Sequence, residues 1–374
     1  MKFIPVCEPF LNGNELSYVT DCVSTGWISS SGKYVKEFEE KFANYCGVKY
    51  GVTACNGTAA LHLALLATSI GKGDEVIVPN FTMIASAFSI CYTGAIPIFV
   101  DADLFTWNID INRIEEKITS RTKAIMSVSI FGNVCEMDKV SEIAKKYNLL
   151  VIDDAAESHG AEYNGKKTGS LADITAFSFF ANKNLTTGEG GMVVTNNKNF
   201  YDRVKYFKNL CFSLDGPRNY IHNDIGFNYR MSNIHAAIGL AQLEKADYYR
   251  NLRIGNAELY KKYLAEIEGI VLQKTNVGIL NVHWMNGIIV NPKIYGKTRD
   301  ELIAELKTNG VETRTFFVGM NKQPSLLKYG CVQEGSYPVT DYLSENGFYL
   351  PSSSNLKEED IIFICKIIRD FRSK

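Results

Sequence analysis

No Cys-x-x-Cys pair occurs in the 374 residues, and the nine cysteines (Cys7, Cys22, Cys46, Cys55, Cys91, Cys135, Cys211, Cys331 and Cys365) are odd in number and scattered. That spacing argues against both a disulfide framework and a zinc site, and reduced, mostly buried thiols in a cytoplasmic protein are expected instead. An excess of charge is missing too. Forty basic and 41 acidic residues nearly cancel, so no overall field favours nucleic acid or an acidic membrane surface, and neither is an expected partner. The opening Met-Lys-Phe-Ile-Pro-Val-Cys-Glu lacks an apolar core of signal-peptide length, so no export is expected. Val76 to Val100 is uncharged for long enough to raise a membrane span, but Pro79, Asn80, Gly94 and Pro97 divide it into strand, loop, helix and strand. Low-complexity segments and internal repeats are absent. The mononucleotide spacing Gly-x-x-x-x-Gly-Lys is absent as well, and Gly188-Glu-Gly-Gly191 does not match the dinucleotide fingerprint.

What remains is an ordinary globular composition. With 46% apolar residues the chain can bury a full core, and its length suits about two domains. Buried-strand and helical patterns alternate through the middle: strand 76–79, helix 83–93, strand 96–100, helix 110–118, strand 123–130, helix 136–147 and strand 149–153. Such spacing implies right-handed crossovers and a mostly parallel sheet covered on both faces, an α/β fold. Helical faces also recur at 14–24 (Tyr18, Val19, Cys22) and at 33–46 (Phe38, Phe42, Tyr45). A helix near 198–209 precedes a polar segment to Asp224 that contains Gly216 and Pro217. Another opens at Ser232 or Asn233 and is expected to reach about 265, with a break near Ala246 to Tyr249. The domain change is placed there. Residues 1–248 read as a large domain whose first segment can pack on the other, and 249–374 as a smaller α+β domain closing over a crevice. Strands near 282–291 and 311–317 and helices 298–308 and 357–372 are expected in the latter.

The densest chemistry lies between Asp153 and Met192. A short apolar strand, Thr175 to Phe180, delivers Lys183 into a loop that becomes Thr186-Thr-Gly-Glu-Gly-Gly191, a backbone free to bend closely round a ligand. Roughly thirty residues earlier, Leu149-Leu-Val-Ile-Asp-Asp154 is a second buried strand ending in two carboxylates, and a parallel sheet brings both strand ends to one edge. An amine and an acid over one crevice suit pyridoxal phosphate. The lysine holds the cofactor aldehyde as a Schiff base, and the carboxylate keeps the pyridine nitrogen protonated so that the ring accepts electrons. Taken singly, Lys183 also reads as a solvated loop lysine and Asp154 as the cap of a following helix.

A third element joins them. Tyr50 to Leu66 is a strand turning at Asn56-Gly57 into an alanine-rich helix, whose unpaired first-turn amides and dipole seat a phosphate at Gly57 and Thr58, the Thr58 hydroxyl adding a donor. An ordinary turn is the plainer alternative. His62, inside that helix, is expected to be a packed, hydrogen-bonded core residue. Met83 opens the helix after strand 76–79, close to where a cofactor ring would lie. Glu157, a helical turn beyond Asp154, is within reach of the ring hydroxyl, while His159 belongs to the supporting shell. The loop Thr25 to Gly32, with Trp27 and Ser29, is either a substrate-contacting loop or a plain connector. Trp284, Arg314 and Phe316 either face the crevice or belong to the core and surface of the smaller domain.

Set in order, Asn56-Gly57-Thr58, Asp153-Asp-Ala-Ala-Glu157, Ser178-Phe-Phe-Ala-Asn-Lys183, Thr186-Thr-Gly-Glu-Gly-Gly191 and Gly226-Phe-Asn-Tyr-Arg-Met231 resemble the DegT/DnrJ/EryC1/StrS sugar aminotransferases. The likeness runs the length of the chain. It implies a fold-type I homodimer that uses pyridoxal 5'-phosphate and cycles through pyridoxamine phosphate, without a metal. By position it implies Lys183 as the cofactor lysine, Asp154 as partner of the pyridine nitrogen and Glu157 as neighbour of the ring hydroxyl. Gly57, Thr58 and Ser178 would hold the phosphate together with Asn228, which the family contributes to the partner subunit's site. The implied reaction moves an amino group from L-glutamate to a nucleotide-linked 4-keto-6-deoxyhexose, generally for surface polysaccharide.

Three positions depart from the family pattern. Met83 stands where an aromatic side chain usually stacks on the cofactor ring, Phe316-Phe-Val-Gly-Met320 lacks a histidine expected near the sugar, and Asn281 replaces another. Alternatives at this level are a dTDP- or UDP-linked keto sugar, a pyridoxamine-dependent dehydratase, and a relative that keeps the fold without the chemistry. Related dehydratases carry histidine at the position of Lys183.

Overall fold

A computed structural model of the protein describes residues 2–214, 220–331 and 335–372. Gly216 and Pro217 lie outside the described residues. Seven buried runs form one sheet, in the spatial order Tyr50–Ala54, Gly191–Thr195, Ile174–Ser178, Leu150–Asp154, Thr122–Val128, Glu75–Pro79 and Ile96–Val100. The last five are parallel neighbours, and Gly191–Thr195 runs antiparallel to both strands beside it. Alternate side chains go to opposite faces. Val76 and Val78 join helices Gly57–Ala67 and Ile84–Tyr92 in one core, whereas Ile77 joins helix Met137–Tyr147 in another. Helix Lys33–Cys46 covers the strands around Phe177 and Met192, with Phe42 5.0 Å from Phe177 between ring centres. Burial on both faces is what makes these strands read as continuous apolar runs.

The consequence is a single rim. Pro79, Val128, Asp154 and Ser178 all end parallel strands, and the register pairs Gly191 with both Ser178 and Ala54. A second, antiparallel sheet stands over this rim, in the order Ile270–Leu272, Asn286–Val290, Gly347–Leu350 and Arg314–Thr315. Helices Ala246–Leu264, Arg299–Thr308 and Glu358–Arg372 pack on it around Leu264, Ile288, Leu302 and Ile364. Between the two sheets lies an aromatic cluster of Phe81, Trp107, Phe131, Trp284, Phe316 and Tyr349. The N-terminal segment joins the second sheet's body: Ile4 bridges Val311, and the Ile4 N–H donates to the Gly310 carbonyl at 2.9 Å.

Several local expectations are corrected. Residues 110–118 form two 3-10 turns, Ile111–Arg113 and Glu115–Lys117, because the side chain of Asp110 accepts the Asn112 amide and starts a tighter turn. The strand expected at 311–317 forms ladder pairs only at Arg314–Thr315, because Phe316 turns into the aromatic cluster. The break in the long helix falls at residues 244–245, between Asn233–Leu243 and Ala246–Leu264. All nine cysteines are free, seven of them buried and Cys7 and Cys55 half-buried. His62 is buried and its Nδ1 lies 3.3 Å from the Tyr229 hydroxyl. Among the described residues no helix is long and apolar enough to cross a membrane.

One carboxylate ties the second body to the main sheet. Asp101, 1% exposed, accepts hydrogen bonds from the Thr340 amide at 2.8 Å, its hydroxyl at 2.7 Å and the Val339 amide at 3.1 Å. It thereby caps helix Pro338–Asn346, which has no side-chain cap of its own. Asp101→Ala is expected to lower the unfolding free energy by about 2–4 kcal/mol, since it leaves buried donors without a charged acceptor. Urea unfolding measures this, and a loss below the error of extrapolation would contradict it.

Candidate active site

Strand alternation decides which of the two adjacent carboxylates faces the crevice. Asp153 turns toward strand Thr122–Val128, where Ser127 Oγ donates to its Oδ1 at 2.8 Å while Oδ2 has no partner among the described residues. Asp154 turns the other way. Its Oδ2 accepts from Ser86 Oγ at 2.7 Å and its Oδ1 from the Ala156 amide at 3.2 Å. Burial raises its pKa, opposed by those two donors and by the positive field of Lys183.

Lys183 sits in the loop that leaves strand Ile174–Ser178, its amide bonded to the Phe180 carbonyl at 2.9 Å. Its side chain is 10% exposed, and Nζ lies 3.9 Å from Glu157 Oε1 and 3.5 Å from the centre of the Trp284 ring. Burial lowers the pKa of this amine, and the negative fields of Glu157 and Asp154 work against that. Glu157 is itself raised, by burial above all. Its other oxygen accepts the Phe131 amide at 2.8 Å, which Phe131 presents from a left-handed backbone with φ of 57°. An amine and two carboxylates thus share one largely buried space. In such a place each group's ionisation depends on its neighbours, which suits an amine meant to react as a nucleophile.

Beside them the chain makes a cradle of small residues. A Cβ on Gly57 would stand 2.6 Å from Ser178 Cβ, and one on Gly191 would stand 2.2 Å from the Asn56 carbonyl oxygen. Only glycine permits this approach. Asn56 caps the helix by accepting the Ala59 amide at 2.8 Å, and its carbonyl accepts the Ala60 amide at 3.0 Å. The Gly57 and Thr58 amides are left without a protein acceptor among the described residues. Free amides at a helix N-terminus, next to the Ser178 hydroxyl, form an anion seat on the same rim as Lys183.

The model of the DegT/DnrJ/EryC1/StrS aminotransferase family matches residues 9–369. The chain belongs to that family. It is accordingly a pyridoxal-phosphate-dependent aminotransferase. The GDP-perosamine synthase of Escherichia coli O157:H7 is 45% identical to it over 373 residues, spanning the whole of both chains. That of Caulobacter vibrioides is 45% identical over 360 residues, 96% of this chain and 95% of the other. Among solved structures, the aminotransferase from Psychrobacter cryohalolentis matches with a TM-score of 0.92 at 30% identity, covering all of this chain and 99% of that one.

In this aminotransferase the structure brings Gly57, Ser178, Asp154, Glu157, Lys183 and Trp284 to the rim, and Thr58 follows Gly57 there. Met83 is 47% exposed at the start of the helix that carries Ser86, its sulfur accepting the Ala85 amide at 3.0 Å. Trp27 and Ser29 belong to a separate, exposed loop. Asn233 holds that loop, its side-chain amide donating to the Trp27 carbonyl at 2.6 Å and its backbone amide to the Ser29 carbonyl at 2.7 Å. Asn228, five residues before this clamp, is exposed and bridges Asn209. Arg314 is exposed and 3.7 Å from Glu312. Of its two readings, Phe316 takes the core and not the crevice. At 3% exposure, with its ring centre 4.9 Å from Phe131 and 5.2 Å from Trp107, it is a core ring and not a wall of the crevice. Ser86, Asn233 and the Phe131 amide were not legible as site residues. Only Ser86 had a local signal, three residues after Met83 on the same helical face.

Asp153, on the far face, gives a test of this electrostatic arrangement. Burial raises its carboxyl to about 7, so the folded chain holds that proton more tightly than the unfolded one. The contribution of Asp153 to wild-type stability therefore falls as pH rises toward 7, and Asp153→Asn removes that contribution to the slope. In melting experiments from pH 5 to pH 8 the variant is expected to gain on the wild type with pH, by on the order of 1–3 kcal/mol. A difference that stays constant with pH would contradict the burial of this acid.

Proposed function

We propose that this aminotransferase moves the amino group of L-glutamate to carbon 4 of a nucleotide-linked 4-keto-6-deoxyhexose, with GDP-4-keto-6-deoxy-D-mannose as acceptor and GDP-perosamine as product. The amine of Lys183, buried beside Glu157 and in the field of Asp154, carries the catalytic part of this reading. Two relatives at 45% identity over almost their whole length, both GDP-perosamine synthases, support the substrate.

The residues present fit pyridoxal phosphate. The cradle that a Cβ at Gly57 would fill accepts a phosphate through the Gly57 and Thr58 amides and the Ser178 hydroxyl. Asp154, fixed by Ser86 and Ala156, supplies the anion for the pyridine nitrogen, and Glu157 the neighbour for the ring hydroxyl. Met83 would cover a ring face, and Asn228 would be contributed to the partner subunit's site in a homodimer. When bound, the cofactor supplies an electron sink for the donor's α-carbon and alternates between pyridoxal and pyridoxamine forms. Lys183 Nζ would hold the cofactor, and it is the base placed to take up the proton lost from the glutamate α-carbon. Burial favours its neutral form for that task. Trp284 supports the amine from beneath, and Trp27, Ser29 and Arg314 contact the sugar nucleotide. Residues 1–248 form the cofactor-binding domain and 249–374 the smaller domain, and the enzyme works in the cytoplasm on polysaccharide precursors.

Lys183→Ala is expected to abolish the absorbance band of the lysine-bound cofactor and to lower kcat by on the order of 10³-fold or more. Unchanged absorbance would contradict the role of this amine. Gly57→Val, which overfills the cradle, is expected to weaken cofactor binding about 10- to 100-fold, as equilibrium titration would show. With GDP-, dTDP- and UDP-linked 4-keto-6-deoxy sugars compared under glutamate, the GDP-mannose-derived ketone should have the highest kcat/KM. Equal or better turnover of a dTDP or UDP sugar would overturn the substrate assignment while leaving the chemistry.

A further inference from the structure

Arg253, on helix Ala246–Leu264, is only 2% exposed, yet among the described residues no carboxylate lies within ion-pair distance of it. A buried guanidinium ordinarily recovers its desolvation from an acid. Here it is spent on neutral acceptors from three distant segments. Nε donates to Ser354 Oγ at 3.0 Å, Nη1 to the Trp284 carbonyl at 2.7 Å and Nη2 to Cys7 Sγ at 3.5 Å. Two of those partners then converge on one atom. Trp284 Nε1 donates to the Asn182 carbonyl at 2.8 Å, and the Cys7 thiol donates to the same oxygen at 3.3 Å. Asn182 immediately precedes Lys183, whose Nζ rests on the Trp284 ring. The hydrogen bonds form a closed ring with Arg253 at one side and the backbone of the reactive lysine at the other.

We propose that Arg253 is a positioning residue for Lys183, fixing through Trp284 and Cys7 the Asn182 carbonyl from which the amine is presented. The inference rests on Lys183 being the reactive amine of the proposed function. A planar fork is needed because two acceptors on different chain segments must be held at a fixed separation, which a lysine at this position cannot do. The missing carboxylate has a second effect. A cation with no carboxylate beside it in this buried region favours the neutral form of Lys183, in the same direction as burial. Arg253 touches no reacting atom, so its influence runs through geometry and field.

The experiment compares Arg253→Lys, which keeps the charge and loses the fork, with Arg253→Met, which loses both. The first readout is the rate at which the apoenzyme captures pyridoxal phosphate, followed by stopped-flow absorbance. The second is the pH midpoint of the lysine-bound cofactor's absorbance, and the third is kcat against KM for glutamate. Both variants are expected to capture the cofactor about 10-fold more slowly or worse and to lose kcat to the same degree, with KM changed little. The pH midpoint should move up in R253M, where the like charge is gone, and stay in place in R253K. Folded variants with wild-type capture rate and midpoint would overturn the proposal, because a merely structural arginine would alter only the melting temperature. Should R253M not fold, the double variant C7A/W284F, which leaves the arginine in place and cuts both bonds to Asn182, must show the same slow capture, and normal capture would overturn it. If no amino sugar is ever formed but capture still depends on Arg253, the functional reading fails and this one stands.

Discussion

The structure depends on burying an ammonium-forming side chain and two carboxylates together at one strand rim. Lys183, Asp154 and Glu157 would each be costly alone in such a place. Together they hold one another between charge states, with the pKa of the lysine lowered and those of the acids raised by burial. The sheet makes this possible, because Asp154 and Ser178 end neighbouring parallel strands and so deliver the acid and the lysine loop to one rim. The anion seat at Gly57 reaches the same rim through the antiparallel strand that begins at Gly191.

Support for this arrangement comes from outside the rim. Glu157 is held by the Phe131 amide, and the ring of Phe131 packs against Phe316 and against Tyr349 of the second sheet. Lys183 lies on Trp284, which enters from the start of strand Asn286–Val290. The second sheet is therefore part of the site's floor as well as its cover. Its attachment through Asp101 and the aromatic cluster makes the orientation of the lysine a property of the whole fold.

Much of this was legible in the sequence, for identifiable reasons. Strands buried on both faces write themselves as unbroken apolar runs, and glycines forced by close approach stand out at Asn56-Gly57 and in Thr186 to Gly191. The lysine and the aspartate could be found because they follow such runs directly. What escaped was set by distant contacts. Arg253 meets Cys7 across 246 positions, and Asn233 reaches the Trp27 carbonyl across 206. Strands of two residues, such as Glu162–Tyr163 and Lys166–Lys167, are too short to show a period. The place of Phe316 stayed open because an aromatic at the end of a short strand looks the same whether it lines a crevice or fills the gap between two sheets.

The central claim, that Lys183 is the amine that takes the cofactor, is tested most directly by chemical trapping. Borohydride reduction of the loaded enzyme, followed by peptide mass spectrometry, should find the phosphopyridoxyl group on the peptide containing Lys183 and on no other lysine in comparable yield. Attachment to a different lysine, or stoichiometric cofactor binding with no covalent label at all, would contradict it.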